Sequence, residues 1–139
     1  MNVIIKLINY PKRLLIKSKF ISKPNLKDRF SIIHKNNYWD NSETVSGPGS
    51  TMKNTVNLRK KLRKIIKKYK IKSIFDAPCG DCNWIKGIIR NSSVKYIGAD
   101  IVDEIIKNNK KKFNYKNTFF YKKDITKNNL PKTDLFICR

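Results

Sequence analysis

An α/β fold built on a parallel sheet with flanking helices is what this sequence predicts, and three observations predict it. From Asn54 onward, short apolar runs rich in β-branched and aromatic residues alternate with segments of helical periodicity. Four of the ten acidic residues, Asp76, Asp100, Asp124 and Asp134, stand at the ends or starts of those runs. The order strand, helix, strand, helix, strand is that of a parallel sheet, because strands pointing the same way need a crossover between them.

The elements follow in order. Residues 1–50 read as an irregular basic leader, in which Pro24, the Asn36-Asn37 pair and Ser46 to Ser50 are turn formers around short helices. His34, Tyr38 and Trp39 stand out there, and packing is the expected role of each. Residues 51–139 read as the α/β unit. Leu58, Leu62, Ile65, Ile66 and Tyr69 form one apolar stripe of a helix whose other face is Lys and Arg, with Asn54 or Thr55 as candidate caps. Ile71 to Ala77 is the first strand and runs into a tight loop. Asn83 to Arg90 has helical spacing of Trp84, Ile85, Ile88 and Ile89; Lys95 to Asp100 is the second strand. A helix from Asp103 turns Ile105, Ile106 and Phe113 inward, and Thr118 to Asp124 and Thr133 to Cys138 are the third and fourth strands. Asp81 or Asn83, and Asp103, are candidate helix caps.

A net charge of +22 on 139 residues ordinarily points to a polyanionic partner. Lysine, isoleucine and asparagine together make up roughly 45% of the chain, a bias expected from AT-rich codon usage as much as from a binding surface. The lysines are scattered, with denser runs at Arg59 to Lys72 and Lys107 to Lys112 that read as solvated helix faces. Weak polyanion binding is therefore a secondary expectation. Cys79, Cys82 and Cys138, without a secretory signal, predict a reducing, cytoplasmic setting. Lys6, Pro11, Lys12 and Arg13 break the apolar clusters of Met1 to Phe20, which predicts no integral membrane segment and leaves room only for a basic segment on a membrane surface.

Ligands of an open parallel sheet bind outside the carboxyl ends of the strands, where this sequence places Asp76, Asp100, Asp124 and Cys138. In Asp76-Ala77-Pro78-Cys79-Gly80-Asp81-Cys82-Asn83-Trp84, Gly80 admits a close backbone approach and the next helix offers free N–H groups. Asp100, twenty residues after Gly80, is placed to accept hydrogen bonds from ribose hydroxyls, so an adenosine-containing cofactor fits. A nicotinamide dehydrogenase needs G-x-G-x-x-G to admit a pyrophosphate, and Asp81, Cys82 and Asn83 occupy that turn instead. The charge of Asp76 also disfavours a polyphosphate and suits a cationic ligand. Cys79 and Cys82 form a C-x-x-C after a strand, the thioredoxin-like arrangement, but the later strand order and acids do not fit it. A metal on Cys79, Cys82 and Cys138 lacks a fourth ligand from a second C-x-x-C or a His pair, and no metal site is expected.

At "SIFDAPCGDCNW" and "YIGADI" the sequence resembles the class I S-adenosylmethionine-dependent methyltransferases, over Ile71 to Arg139. The resemblance implies a Rossmann-like sheet and S-adenosyl-L-methionine as cofactor. It implies that Asp76 and Gly80, with Cys79 in the same loop, contact its methionine part. Asp100 then binds the ribose hydroxyls, Ile101 packs on the adenine, and Asp124 and Ile125 read the adenine edge. The chain is also similar to bacterial methyltransferases with a W…S-G-P-G-S segment before the first strand, here Trp39 and Ser46 to Ser50. It departs from the family in having Cys-Gly-Asp-Cys where G-x-G is usual.

Methyl transfer asks the protein to hold the acceptor in line, with a base if the acceptor must lose a proton. Those residues normally follow the fourth strand, so no catalytic residue is assigned. The expected acceptor is a small molecule or glycan, with RNA second; the rival class is a non-enzymatic basic module on nucleic acid or an anionic surface. The resemblance implies seven strands, of which four are present, so the chain is expected to be a fragment ending at Arg139, with the fourth strand as an uncovered edge and no activity alone. Ser46 to Ser50 is either a lid over the cofactor or a plain linker.

Overall fold

The computed structural model describes residues 14–19, 21–90 and 92–139, so the expectations for Met1 to Arg13 lie outside the described residues. Helix α1 (Leu26–Lys35) starts at Asn25, whose side chain accepts from the Asp28 N–H at 2.9 Å. A 3₁₀ turn at Pro48–Ser50 precedes α2 (Val56–Lys68). Then follow β1 (Ser73–Asp76), α3 (Lys86–Ile89), β2 (Lys95–Asp100), α4 (Asp103–Lys112), β3 (Thr118–Lys122) and β4 (Leu135–Ile137). The four strands form one sheet in the order β3-β2-β1-β4, all parallel, which is the predicted α/β, Rossmann-like arrangement. The chain crosses from β1 outward to β2 and β3, then returns to the far side of β1 for β4. The reversal opens a crevice at the carboxyl end of β1.

Each face of the sheet has its own core. Ile74, Tyr96 and Phe120 face α2, α3 and α4, packing with Leu62, Ile85, Ile88, Ile106 and Phe113. Phe75, Ala77, Ile97 and Ala99 form the opposite cluster, extended by Ile125 and by Phe136 stacked on Phe75 at 5.4 Å. Packing, more than propensity, holds α3: a four-residue helix gains little by itself, whereas fully burying Ile85, Ile88 and Ile89 is worth ~1.5–3 kcal/mol each.

Several local expectations change. The stripe of α2 narrows to Leu58, Leu62 and Ile66, while Ile65 and Tyr69 remain exposed. Thr55 occupies the cap position, yet its hydroxyl donates backward to Thr51 O at 2.7 Å and caps no N–H. Asp103 lies inside α4 and pairs with Lys107 at 2.8 Å instead of capping, since four residues separate them on one helix face. Among the described residues no helix is long and apolar enough to cross a membrane.

Candidate functional site

The strands end where the acids stand. Asp76 closes β1 and Asp100 closes β2, while Asp124 follows β3 by two residues. These three, with Cys79, Gly80, Ile101 and Ile125, border one cavity of about 370 Å³. All seven candidate residues therefore meet in one place, although Asp124 and Ile125 lie beyond the shortened β3 rather than within a strand. The leader supplies the opposite wall through Phe30, His34, Trp39 and Ser46.

The loop after β1 is tied down by hydrogen bonds from Cys79 onward. The Cys79 N–H donates to Ala99 O at 2.8 Å, and the Gly80 N–H donates to Asp100 Oδ2 at 3.1 Å. Asn109 Nδ2 donates to Gly80 O at 2.7 Å from beneath. Gly80 has φ +54°, and a Cβ there would run into Ser46 Oγ. Cys82 also takes φ 55°, so the turn has two left-handed residues, with a cysteine where a second glycine would relieve the strain.

Asp81 does not act as a cap for α3. Its carboxylate accepts from Thr44 Oγ1 (2.8 Å), the Val45 N–H (3.1 Å) and Ser46 Oγ (3.0 Å), while its own N–H donates to Ser46 Oγ at 2.9 Å. Asn83 does not cap it either: it donates to Glu43 Oε1 at 2.7 Å and to Ser50 O at 3.0 Å. The S-G-P-G-S segment is thereby bound to the loop after β1.

Electrostatics distinguish the three acids. Asp76 is 2% exposed; burial raises its pKa to about 7, against a 2.6 Å hydrogen bond donated by Tyr96 that favours the charged form. Gly98 sits beside Asp76 in register, and a Cβ there would press on the Phe120 and Tyr96 rings, so its bare backbone leaves Tyr96 room to reach across. Burial also raises the pKa of Asp100, partly offset by N–H groups of Val102 (3.0 Å) and Gly80. Asp124 is held in its charged form by Thr126, whose hydroxyl and N–H donate to it at 2.6 and 3.0 Å. Two cations also line the cavity: Lys123, whose Nζ donates to Asn129 O at 2.6 Å, and Arg139, which lies 5.6 Å over the Trp84 ring and donates to Gly49 O.

The two loop cysteines are buried free thiols in the core. The pKa of Cys79 lies well above its ordinary value because of the neighbouring Cys82 thiol and burial, the reverse of what a redox nucleophile needs. Cys138 is exposed, and no cluster of three metal-ligating acids, cysteines or histidines occurs among the described residues.

Sequence reasoning missed the site roles of His34, Tyr96, Asn109 and Arg139. His34 and Trp39, expected only to pack, line the cavity. The one usable signal was Asn109, a polar residue on the inward face of α4, where it is 2% exposed.

No family model matches the chain, and no curated protein matches it. Among solved structures it is similar to the crystal structure of a dimethyladenosine transferase from Plasmodium falciparum, at 30% identity and a TM-score of 0.44. The match covers 55% of this chain and 30% of that one, so the chain spans less than a third of the length of that protein.

Proposed function

We propose that the cavity binds S-adenosyl-L-methionine and that the chain is the cofactor-binding part of a methyltransferase. The observation that carries this reading is the pair Asp76 and Asp100, two buried carboxylates at adjacent strand ends around the Gly80 N–H, in a chain of net charge +22. Buried acids facing a cavity suit a ligand that brings positive charge and hydroxyl donors. The cavity volume also falls in the usual range for small-molecule sites.

In this reading each Asp100 oxygen, already holding one backbone N–H, uses its remaining lone pairs on the ribose diol. Asp76 faces the cationic methionine end, while Ile101 and Ile125 flank the adenine and Asp124 reads its edge. The bound cofactor supplies a methyl group activated on a sulfonium. The chain's own residues bind, orient and exclude water; the leader's Ser46, clasped to Asp81, closes one side. A pyrophosphate is disfavoured by the same carboxylates. For the acceptor we favour a small molecule or glycan over RNA, whose one support is the net charge of +22.

Titration calorimetry with S-adenosylmethionine, S-adenosylhomocysteine and NAD tests the reading. Binding of the first two, weakly dependent on salt, supports it. Binding of NAD alone, or of RNA alone with a steep salt dependence, contradicts it.

A further inference from the structure

Arg139 stands two residues beyond Ile137, the register partner of Asp76 on the neighbouring strand, so its side chain starts from the same end of the sheet as that carboxylate. Its guanidinium lies 5.6 Å over the Trp84 ring, donates to Gly49 O and lines the cavity, and the residue is exposed. The ring face and the carbonyl hold the group in place, yet that hydrogen bond uses one of its five N–H donors. No ion pair ties it to an acid among the described residues. Its charge does reach Asp76, whose carboxyl it draws downward against burial.

S-adenosylmethionine brings more than positive charge to that end of the cavity. Its amino-acid part is a zwitterion, and an α-carboxylate set beside Asp76 and Asp100 without a cation is repelled by both. Lys123 and Arg139 are the lysine and arginine that line the cavity. Lys123 belongs to the other side: its N–H donates to Asp100 O at 2.9 Å, and its Nζ donates to Asn129 O at 2.6 Å. Arg139 is on the Asp76 side and offers the planar fork that meets a carboxylate with two parallel hydrogen bonds. Resting on the S-adenosylmethionine reading, we propose that Arg139 binds the cofactor's α-carboxylate, so that Asp76 and Arg139 read the two opposite charges of one amino-acid group. Arg139 is then a binding residue, and the segment after β4 belongs to the cofactor pocket.

The test is calorimetry at pH 8 of S-adenosylhomocysteine and its decarboxylated analogue, which keeps the amine, on the wild-type chain, Arg139→Gln and Arg139→Lys, with circular dichroism to check the fold. Arg139→Gln is expected to weaken S-adenosylhomocysteine about tenfold to a hundredfold, the scale of lost hydrogen bonds to a charged group. It should not weaken the decarboxylated analogue, which has nothing to offer the guanidinium. Arg139→Lys, which keeps the charge and loses the fork, should fall between wild type and Arg139→Gln. Equal affinity of wild type and Arg139→Gln for S-adenosylhomocysteine, or a loss of the same size for both ligands, overturns the role of Arg139 while leaving the cofactor reading in place. Wild type that binds the decarboxylated analogue as tightly as the parent overturns the carboxylate site without any variant having to fold. No binding of S-adenosylhomocysteine to wild type overturns both readings.

Discussion

Tyr96 donates a 2.6 Å hydrogen bond to Asp76 Oδ2, joining the start of β2 to the end of β1 with both side chains buried. The bond favours ionised Asp76, yet desolvation outweighs it and the pKa rises to about 7. The folded chain therefore holds a proton that the unfolded chain has released between about pH 4 and 7.

Stability should accordingly fall as pH rises through that window and level off above 7. Burial raises the pKa of Asp100 as well, with the same sign. Glu43, Asp103, Asp124 and Asp134 have lowered values, so their contribution is lost as pH falls below about 4. Maximum stability is expected near pH 4 to 5. Urea denaturation at pH 5 and 8 should differ by about 2–4 kcal/mol, and Asp76→Asn should remove most of the difference by stabilising the protein at pH 8. A slope of opposite sign would show Asp76 to be ionised throughout.

Ligand binding should carry the reverse dependence. A cationic group beside Asp76 favours the carboxylate, so below pH 7 binding must expel a proton. Affinity for S-adenosylhomocysteine is expected to rise between pH 6 and 7.5 by up to about tenfold per unit, and to lose that dependence in Asp76→Asn. Calorimetry in buffers of different ionisation enthalpy reads the released proton directly.

Gly80 and Ser46 test the clasp between leader and loop. Gly80→Ala places a Cβ against Ser46 Oγ at φ +54°, and the combined strain should cost about 1–3 kcal/mol in urea denaturation. Adding Ser46→Gly relieves the clash but removes the hydroxyl's two bonds to Asp81, so the double variant should recover at most part of the loss. If Gly80→Ala is as stable as wild type, the loop does not hold this conformation.

The cysteines differ in reach. Cys138 is exposed, whereas Cys79 is 4% and Cys82 1% exposed. A thiol reagent should modify one cysteine quickly and the other two only on unfolding. Rapid modification of Cys79 or Cys82 would reopen the redox reading of the C-x-x-C.

The sheet was legible because its signals are local. Lys95 to Asp100 reads as a strand from its own residues, and its observed bounds are the same. The acids at the ends of β1 and β2 mark the site without any knowledge of packing. Asp81 was not legible as a clasp, since its partners Thr44, Val45 and Ser46 are 35 to 37 residues away in sequence. His34 was hidden for a similar reason. An isolated histidine on a leader helix reads as packing until the fold carries that helix across the strand ends.

The most direct test of the central claim is calorimetric titration of S-adenosylhomocysteine into the wild-type chain and Asp100→Ala at pH 8. Asp100 is 6% exposed at the cavity and holds the Gly80 N–H. Its loss should weaken binding by about 1.5–3 kcal/mol while the circular dichroism spectrum stays that of an α/β fold. A wild-type chain that does not bind S-adenosylhomocysteine, or an Asp100→Ala variant that binds it equally well, would contradict the assignment of this cavity.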